Sequence, residues 1–318
     1  MLRLSEAGLH LEPGSRAAGF LTFEAAAHAP VRIPVVAVQG RQSGPTLWVQ
    51  ASLHGDEVDG VVAVLRWIER ASFADLRGAV LAVPVLNMPA FLAGTAAHPA
   101  DGVNLNRAFG SAGDTWTERF ASWLLPIIAG HADAFVDLHG GGRDLEVEHF
   151  AFCDAAHKPS RELAAASGVR YVCTAPAGHA GALYRVLAGE GIPAVLVEAG
   201  GGTAWREDAV RLHQRAVDNV LGALGMIERP SPAAPQPPPP LIERTVELHA
   251  RDEAAVVRHA AVGAVVALGE TVVELRTLTG EAGPSISSPL PSAVLLSVAA
   301  TARLRPGGSA CLLGELAS

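Results

Sequence analysis

The residues of this chain best equipped for chemistry are two histidines and two glutamates set far apart in the sequence. His54 and Glu57 stand three residues apart in "HGDE" (54–57), His139 closes "AFVDLH", and Glu198 closes "AVLVE". Two neutral imidazoles and a carboxylate form a three-ligand set suited to Zn2+, with the fourth position left for water. A His/Glu pair at this spacing is common by itself, and each histidine alone reads equally as a satisfied strand-end residue. What favours a metal centre is that His54, His139 and Glu198 all end short apolar runs, with glycine one or two residues beyond each. In open α/β sheets the carboxyl ends of strands border the ligand crevice, and glycine permits close backbone approach. Asp137, two residues before His139, shares its strand face. It is placed either to accept the second ring N–H of a metal-bound histidine or to pair elsewhere as a buried acid. "DGVNLNRAFG" (101–110) reads as a capped surface loop, or as a site where Asn106 and the guanidinium fork of Arg107 receive a substrate carboxylate.

These groups need a scaffold that brings distant strand ends together. Apolar runs at 31–40, 45–55, 78–87, 132–142, 169–175 and 192–202 read as strands. They alternate with helical periodicity at 58–72, 117–130, 181–191 and 205–227. The expected fold is α/β, a mixed, largely parallel sheet with helices on both faces, over 1–228. The stretch 229–240 holds seven of the 22 prolines and reads as a semi-rigid polyproline linker. Beyond it, 241–318 shows short β-rich runs between Gly and Pro, the pattern of a small all-β C-terminal domain.

Composition narrows the classes of function. Hydrophobic residues make up 49% of 318, enough for a large core and too many for wholesale disorder. A net charge of −8 without any basic run argues against nucleic-acid and anionic-membrane partners. Lys158 is the only lysine among 24 basic residues, a bias that strips arginine counts of functional meaning. Cys153, Cys173 and Cys311 lack CxxC spacing, so neither a disulfide framework nor a thiolate zinc site is indicated. Charges interrupt every apolar run near the amino terminus, and no run reaches the ~20 residues of a spanning helix. The expectation is a soluble, cytoplasmic protein.

Five motifs in register, "HGDE" at 54–57, "NMPAF" at 87–91, "DGVNLNRAFG" at 101–110, "DLHGGG" at 137–142 and "GIPAVLVEAGGG" at 191–202, make the chain resemble the succinylglutamate desuccinylase/aspartoacylase family of the zinc carboxypeptidase superfamily. The resemblance covers most of 45–205 and, more loosely, the tail from about 255. It implies one Zn2+ per chain held by His54, Glu57 and His139, with Glu198 as general base and acid. Asn106 and Arg107 would hold a carboxylate, and the reaction would be deacylation of a small N-acyl amino acid. It also implies a tendency towards homo-oligomers. One departure stands out: the family places an arginine before its "DGxNLNR" to stabilise the oxyanion, and here that position is Ala96. His98 and Arg143 are the candidates to replace it. His179, in "PAGHAGAL", reads either as an ordinary loop histidine or as one that touches substrate. The competing readings are a carboxypeptidase on short peptides and, because of Ala96, a non-catalytic metal- or ligand-binding homologue.

Overall fold

The computed structural model describes residues 2–24, 29–72, 74–228 and 237–317. The elements that build the site are strands β1 (Ser15–Phe23), β2 (Val31–Gln39) and β3 (Gln42–Ala51), helix α1 (Asp59–Arg70) and strand β4 (Arg77–Val83). Next come α2 (Met88–Ala93), α3 (Trp116–His131), β5 (Ala134–His139), β6 (Leu145–Cys153) and α4 (Lys158–Ala166). They are followed by β7 (Tyr171–Thr174), α5 (Leu183–Gly189), β8 (Ala194–Gly201) and α6 (Glu207–Ala223). C-terminal strands β9 (Thr245–His249), β10 (Ser292–Ala299) and β11 (Ser309–Glu315) complete the set.

One large mixed sheet runs β9-β11-β10-β6-β8-β5-β3-β4-β2-β1. Its centre, β8-β5-β3-β4, is parallel, while β6 and β2 join it antiparallel. The central strands are apolar without interruption because both of their faces are covered; every residue of β5 is buried. One face packs under α3 and α5 through Phe120, Leu124, Leu183 and Leu187. The other packs under α1, α4 and α6 through Val64, Trp67, Leu163, Val210 and Val217. This is the expected α/β architecture with helices on both faces.

The C-terminal strands add an antiparallel β region. β10 pairs with β6 at Ser297↔Val147, so the tail extends the central sheet edge to edge. A further four-stranded sheet, which includes Ala254–His259 and Thr271–Arg276, packs around its own apolar core with Val273, Leu295 and Leu313. Of the Pro-rich segment, 229–236 lie outside the described residues; at its end the Pro240 carbonyl accepts from the Val172 N–H and Leu241–Ile242 pairs with β7. No helix of the described residues is long and apolar enough to cross a membrane.

Candidate metal centre and active site

The parallel registers explain why the site forms where it does. Glu198 lies opposite His139 across β8 and β5, and Ala51 lies opposite Leu138 across β3 and β5. Three neighbouring strands thus end at one level, and the residues at their carboxyl ends meet. After β3 the chain turns sharply at Ser52, whose φ of 54 is left-handed, a conformation that costs a non-glycine residue ~1–2 kcal/mol. The turn is clamped from the β4 side: Leu86 and Asn87 N–H donate to the Ala51 and Ser52 carbonyls, and Asn87 Nδ2 donates to Leu53 O at 3.1 Å. Gly55 follows because any Cβ there would overlap the backbone of Ala90 and Phe91 in α2.

His54, Glu57 and His139 come together so that one ligand atom from each lies within 4.8 Å of the others. Glu57 sits between the imidazoles, its Oε1 2.7 Å from His54 Nδ1 and its Oε2 2.9 Å from His139 Nδ1. The Gly140 N–H steadies Oε2 at 3.1 Å. What surrounds the far side of each ring fixes its tautomer. Asn104 Oδ1 accepts the Asn106 N–H at 2.8 Å and lies 3.0 Å from His54 Nε2. A carbonyl oxygen can only accept, so Nε2 carries a proton, and with a cation bound Nδ1 is left to offer its lone pair inward. Asp137 Oδ2 lies 3.2 Å from His139 Nε2, out of line for a well-formed hydrogen bond. Outer groups that hold imidazoles this way orient and strengthen them as metal ligands. Asn104→Ala is therefore expected to weaken affinity for any metal held here by roughly 10- to 100-fold, as measured by competition with a chromophoric chelator; unchanged affinity would deny Asn104 this role.

The charges of the cluster also suit a cation. Burial opposes ionisation of Glu57, yet His54 and His139 outweigh it and hold the carboxyl down at about 2. Burial likewise disfavours a charged His139, but Asp137 and Glu57 raise its pKa well above the usual imidazole range. Glu198 goes the other way. Burial, then the carboxylates of Glu57 and Asp137, push it up to about 8 against the pull of His139, and its Oε2 is buried with no partner among the described residues. Glu57, held ionised between two imidazoles, and the unpartnered buried oxygens of Asp137 and Glu198 supply donor atoms that a divalent ion would draw on, so the residues fit a metal.

The other expected residues divide. Asn106 is buried, with Oδ1 accepting the Leu183 N–H at 3.0 Å at the start of α5, so this oxygen secures the loop. Arg107 reaches solvent, donates Nη1 to Asn106 O at 2.8 Å, and has its pKa lowered by crowding against the opposing influence of Tyr184 and Glu247. His179 is held by Tyr184 OH at 3.1 Å; burial, then Arg107 and His139, lower it to about 4, so it faces the cluster as a neutral ring. His98 is buried and stacked on Trp116 at 3.9 Å, which turns it into the core. The Arg143 guanidinium lies over Gly94. Ala96 lines a cavity of about 560 Å³ that also touches Glu57.

Sequence reasoning overlooked Asn104, although it stands in the same loop as Asn106. It also overlooked Asp59, whose Oδ2 accepts the Gly201 N–H at 3.1 Å and whose Oδ1 accepts the Arg206 N–H at 2.6 Å. This buried acid ties the glycine turn after Glu198 to the start of α1. Its place just beyond "HGDE" was the available signal.

Comparison with known proteins agrees with this geometry. A model of the succinylglutamate desuccinylase/aspartoacylase catalytic domain matches residues 43–224. An N-alpha-acetyl-L-2,4-diaminobutyric acid deacetylase of Halomonas elongata is 35% identical over 205 residues, 62% of this chain and only 60% of that relative's own length. The fold is shared with the product-bound ectoine utilization protein EutE (DoeB) of Ruegeria pomeroyi, at TM-score 0.84 and 24% identity over 98% of each chain. It is shared too with a succinylglutamate desuccinylase of Silicibacter sp. TM1040, at TM-score 0.85 and 23% identity over 98% of each. With more than half its length matched by the family model and His54, His139 and Glu198 of its motifs at the carboxyl ends of neighbouring central strands, the chain belongs to the succinylglutamate desuccinylase/aspartoacylase family.

Proposed function

We propose that the protein is a zinc-dependent amidohydrolase that removes the acyl group from a small N-acyl amino acid. The observation that carries this reading is the convergence of His54, Glu57 and His139 beside Glu198, whose Oε2 is buried with no partner among the described residues. His54, Glu57 and His139 would hold the ion; when bound, zinc supplies Lewis acidity towards an amide carbonyl and acidifies water. The protein's own part is proton transfer. Glu198 takes a proton from the attacking water and, once protonated, gives it to the departing nitrogen as the C–N bond breaks, leaving a carboxylate and an amine. A carboxyl raised towards neutrality suits both halves of that task. Arg107, at the solvent side of the loop that Asn106 anchors, supplies the positive charge for a substrate carboxylate.

The name of the Halomonas relative supports an acetylated diamino acid as the first substrate to try. The C-terminal turn 301–309 walls the cavity beside Glu57, which supports a small molecule over a peptide. The test is amine release from Nα-acetyl-2,4-diaminobutyrate, other N-acyl amino acids and short peptides. Hydrolysis of an N-acyl amino acid, lost on chelation and restored by Zn2+, is expected. Metal binding without turnover on the whole panel would instead indicate a binding protein.

A further inference from the structure

Behind His139 the central sheet carries polar side chains where its neighbours are apolar. Gln50 on β3 and Asp137 on β5 are both fully buried, and the parallel register sets them directly opposite each other. Neighbouring strands lie about 4.8 Å apart, and side chains two residues apart share a face. Trp48 and Phe135, two residues before Gln50 and Asp137, both belong to the core under α3 and α5. The two polar side chains therefore leave the sheet on that same face.

The chemistry of the neighbours orients the amide. Trp48 Nε1 lies 3.1 Å from Gln50 Oε1. An indole N–H can only donate, so the amide oxygen must face Trp48 and the NH2 group is turned away from it. That Nε2 is buried with no partner among the described residues, and so are both oxygens of Asp137. On its other side Gln50 faces Val83 of β4, and Asp137 faces Leu196 of β8, so across the ladder each is the polar neighbour of the other. A buried amide donor and a buried carboxylate left unpaired side by side are both costly. A hydrogen bond between them removes the two costs together.

We propose that Gln50 is a positioning residue whose amide donates to Asp137 and holds that carboxylate on Nε2 of His139, 3.2 Å away, so that Nδ1 of the same ring stays aimed at Glu57 and the ion site. The chain of contacts then runs from the Trp48 indole through Gln50 and Asp137 to a metal ligand. This role rests on the metal centre proposed above.

A double-mutant cycle on the full-length chain tests it, with Zn2+ affinity read by chelator competition. Gln50→Met keeps the length of the side chain and removes its donor, and is expected to weaken affinity roughly 10-fold, the lower end of the range for outer groups. Asp137→Ala should weaken it at least as much. In that background Gln50→Met should add less than about 2-fold, because its effect passes through the carboxylate. A general packing defect would instead weaken binding equally in both backgrounds. The second measurement needs no variant at position 50, and decides alone if Gln50→Met fails to fold. In 15N–1H spectra of the metal-free protein one Gln50 side-chain amide proton should lie downfield and move upfield in Asp137→Ala. Additive losses, unchanged affinity in Gln50→Met, or a Gln50 amide signal indifferent to Asp137→Ala would overturn the proposal. If the wild type binds no Zn2+, the metal-centre reading falls, while the amide signal still decides whether Gln50 holds Asp137.

Discussion

Glu198→Gln is expected to lower kcat for amide hydrolysis by about 10³-fold or more while the zinc content stays at wild type. Positioned general acid–base groups contribute ~10²–10⁴-fold, and in the proposed mechanism Glu198 would serve both the attack and the departure. Glutamine has the same size, so its packing on β8 opposite Phe150 and beside His139 should survive. What it loses is the capacity to take up and return a proton. The substitution also removes a carboxylate that burial and Glu57 both disfavour in its charged form. The variant is therefore expected to melt no lower than the wild type, as happens when a group is kept for activity at the expense of stability. Single-turnover kinetics, elemental analysis and a thermal melt read these three outcomes. Activity within tenfold of wild type would remove Glu198 from the mechanism.

Glu57→Ala should have the largest effect on metal. It takes away the one carboxylate placed between the two imidazoles, 2.7 Å from one and 2.9 Å from the other, and leaves a two-histidine remnant. Loss of a proposed direct ligand is expected to exceed the ~10- to 100-fold cost typical of outer groups, so Glu57→Ala should fall well below Asn104→Ala in metal affinity, with the proposed hydrolysis lost alongside. His139 should respond as well. Without Glu57 one of the two acids that raise its pKa is gone, so its imidazole should titrate at lower pH in the metal-free variant, visible by NMR. A Glu57→Ala protein that still bound one zinc as tightly as wild type would place the ion elsewhere.

Much of this arrangement was legible because the central strands announce themselves. Apolar runs such as "AFVDLH" and "AVLVE" carry their polar residue at the carboxyl end, and a parallel sheet brings such ends together, so His139 and Glu198 could be paired before any coordinates. The amphipathic helices α1 and α6 were equally plain. β6 was not. "LEVEHFAFC" opens with two glutamates, and its place inside the sheet depends on partners for them, Arg206 for Glu146 and Arg170 for Glu148, that lie far along the chain. The edge-to-edge pairing of β10 with β6 is hidden for the same reason: periodicity describes a strand, not its neighbour.

Within the site, spacing identified residue types but not the direction of each side chain. Asn104 and Asn106 look alike in "DGVNLNR", yet Asn104 turns to His54 while Asn106 turns to the Leu183 N–H. His98 looked available in a glycine-rich loop, but the ring of Trp116 draws it into the core. Asp59 stands at the start of α1, and its hold on the glycines after Glu198 appears only when α1 and β8 are side by side. In each case the deciding contact is tertiary.

The central claim is that one divalent cation is shared by His54, Glu57 and His139. Anomalous diffraction at the zinc edge from crystals of the native protein tests it most directly. A single strong peak is expected at ~2.0–2.2 Å from Nδ1 of both histidines and from a Glu57 oxygen. A protein that hydrolyses its substrate at full rate with no anomalous density between these three side chains would contradict it.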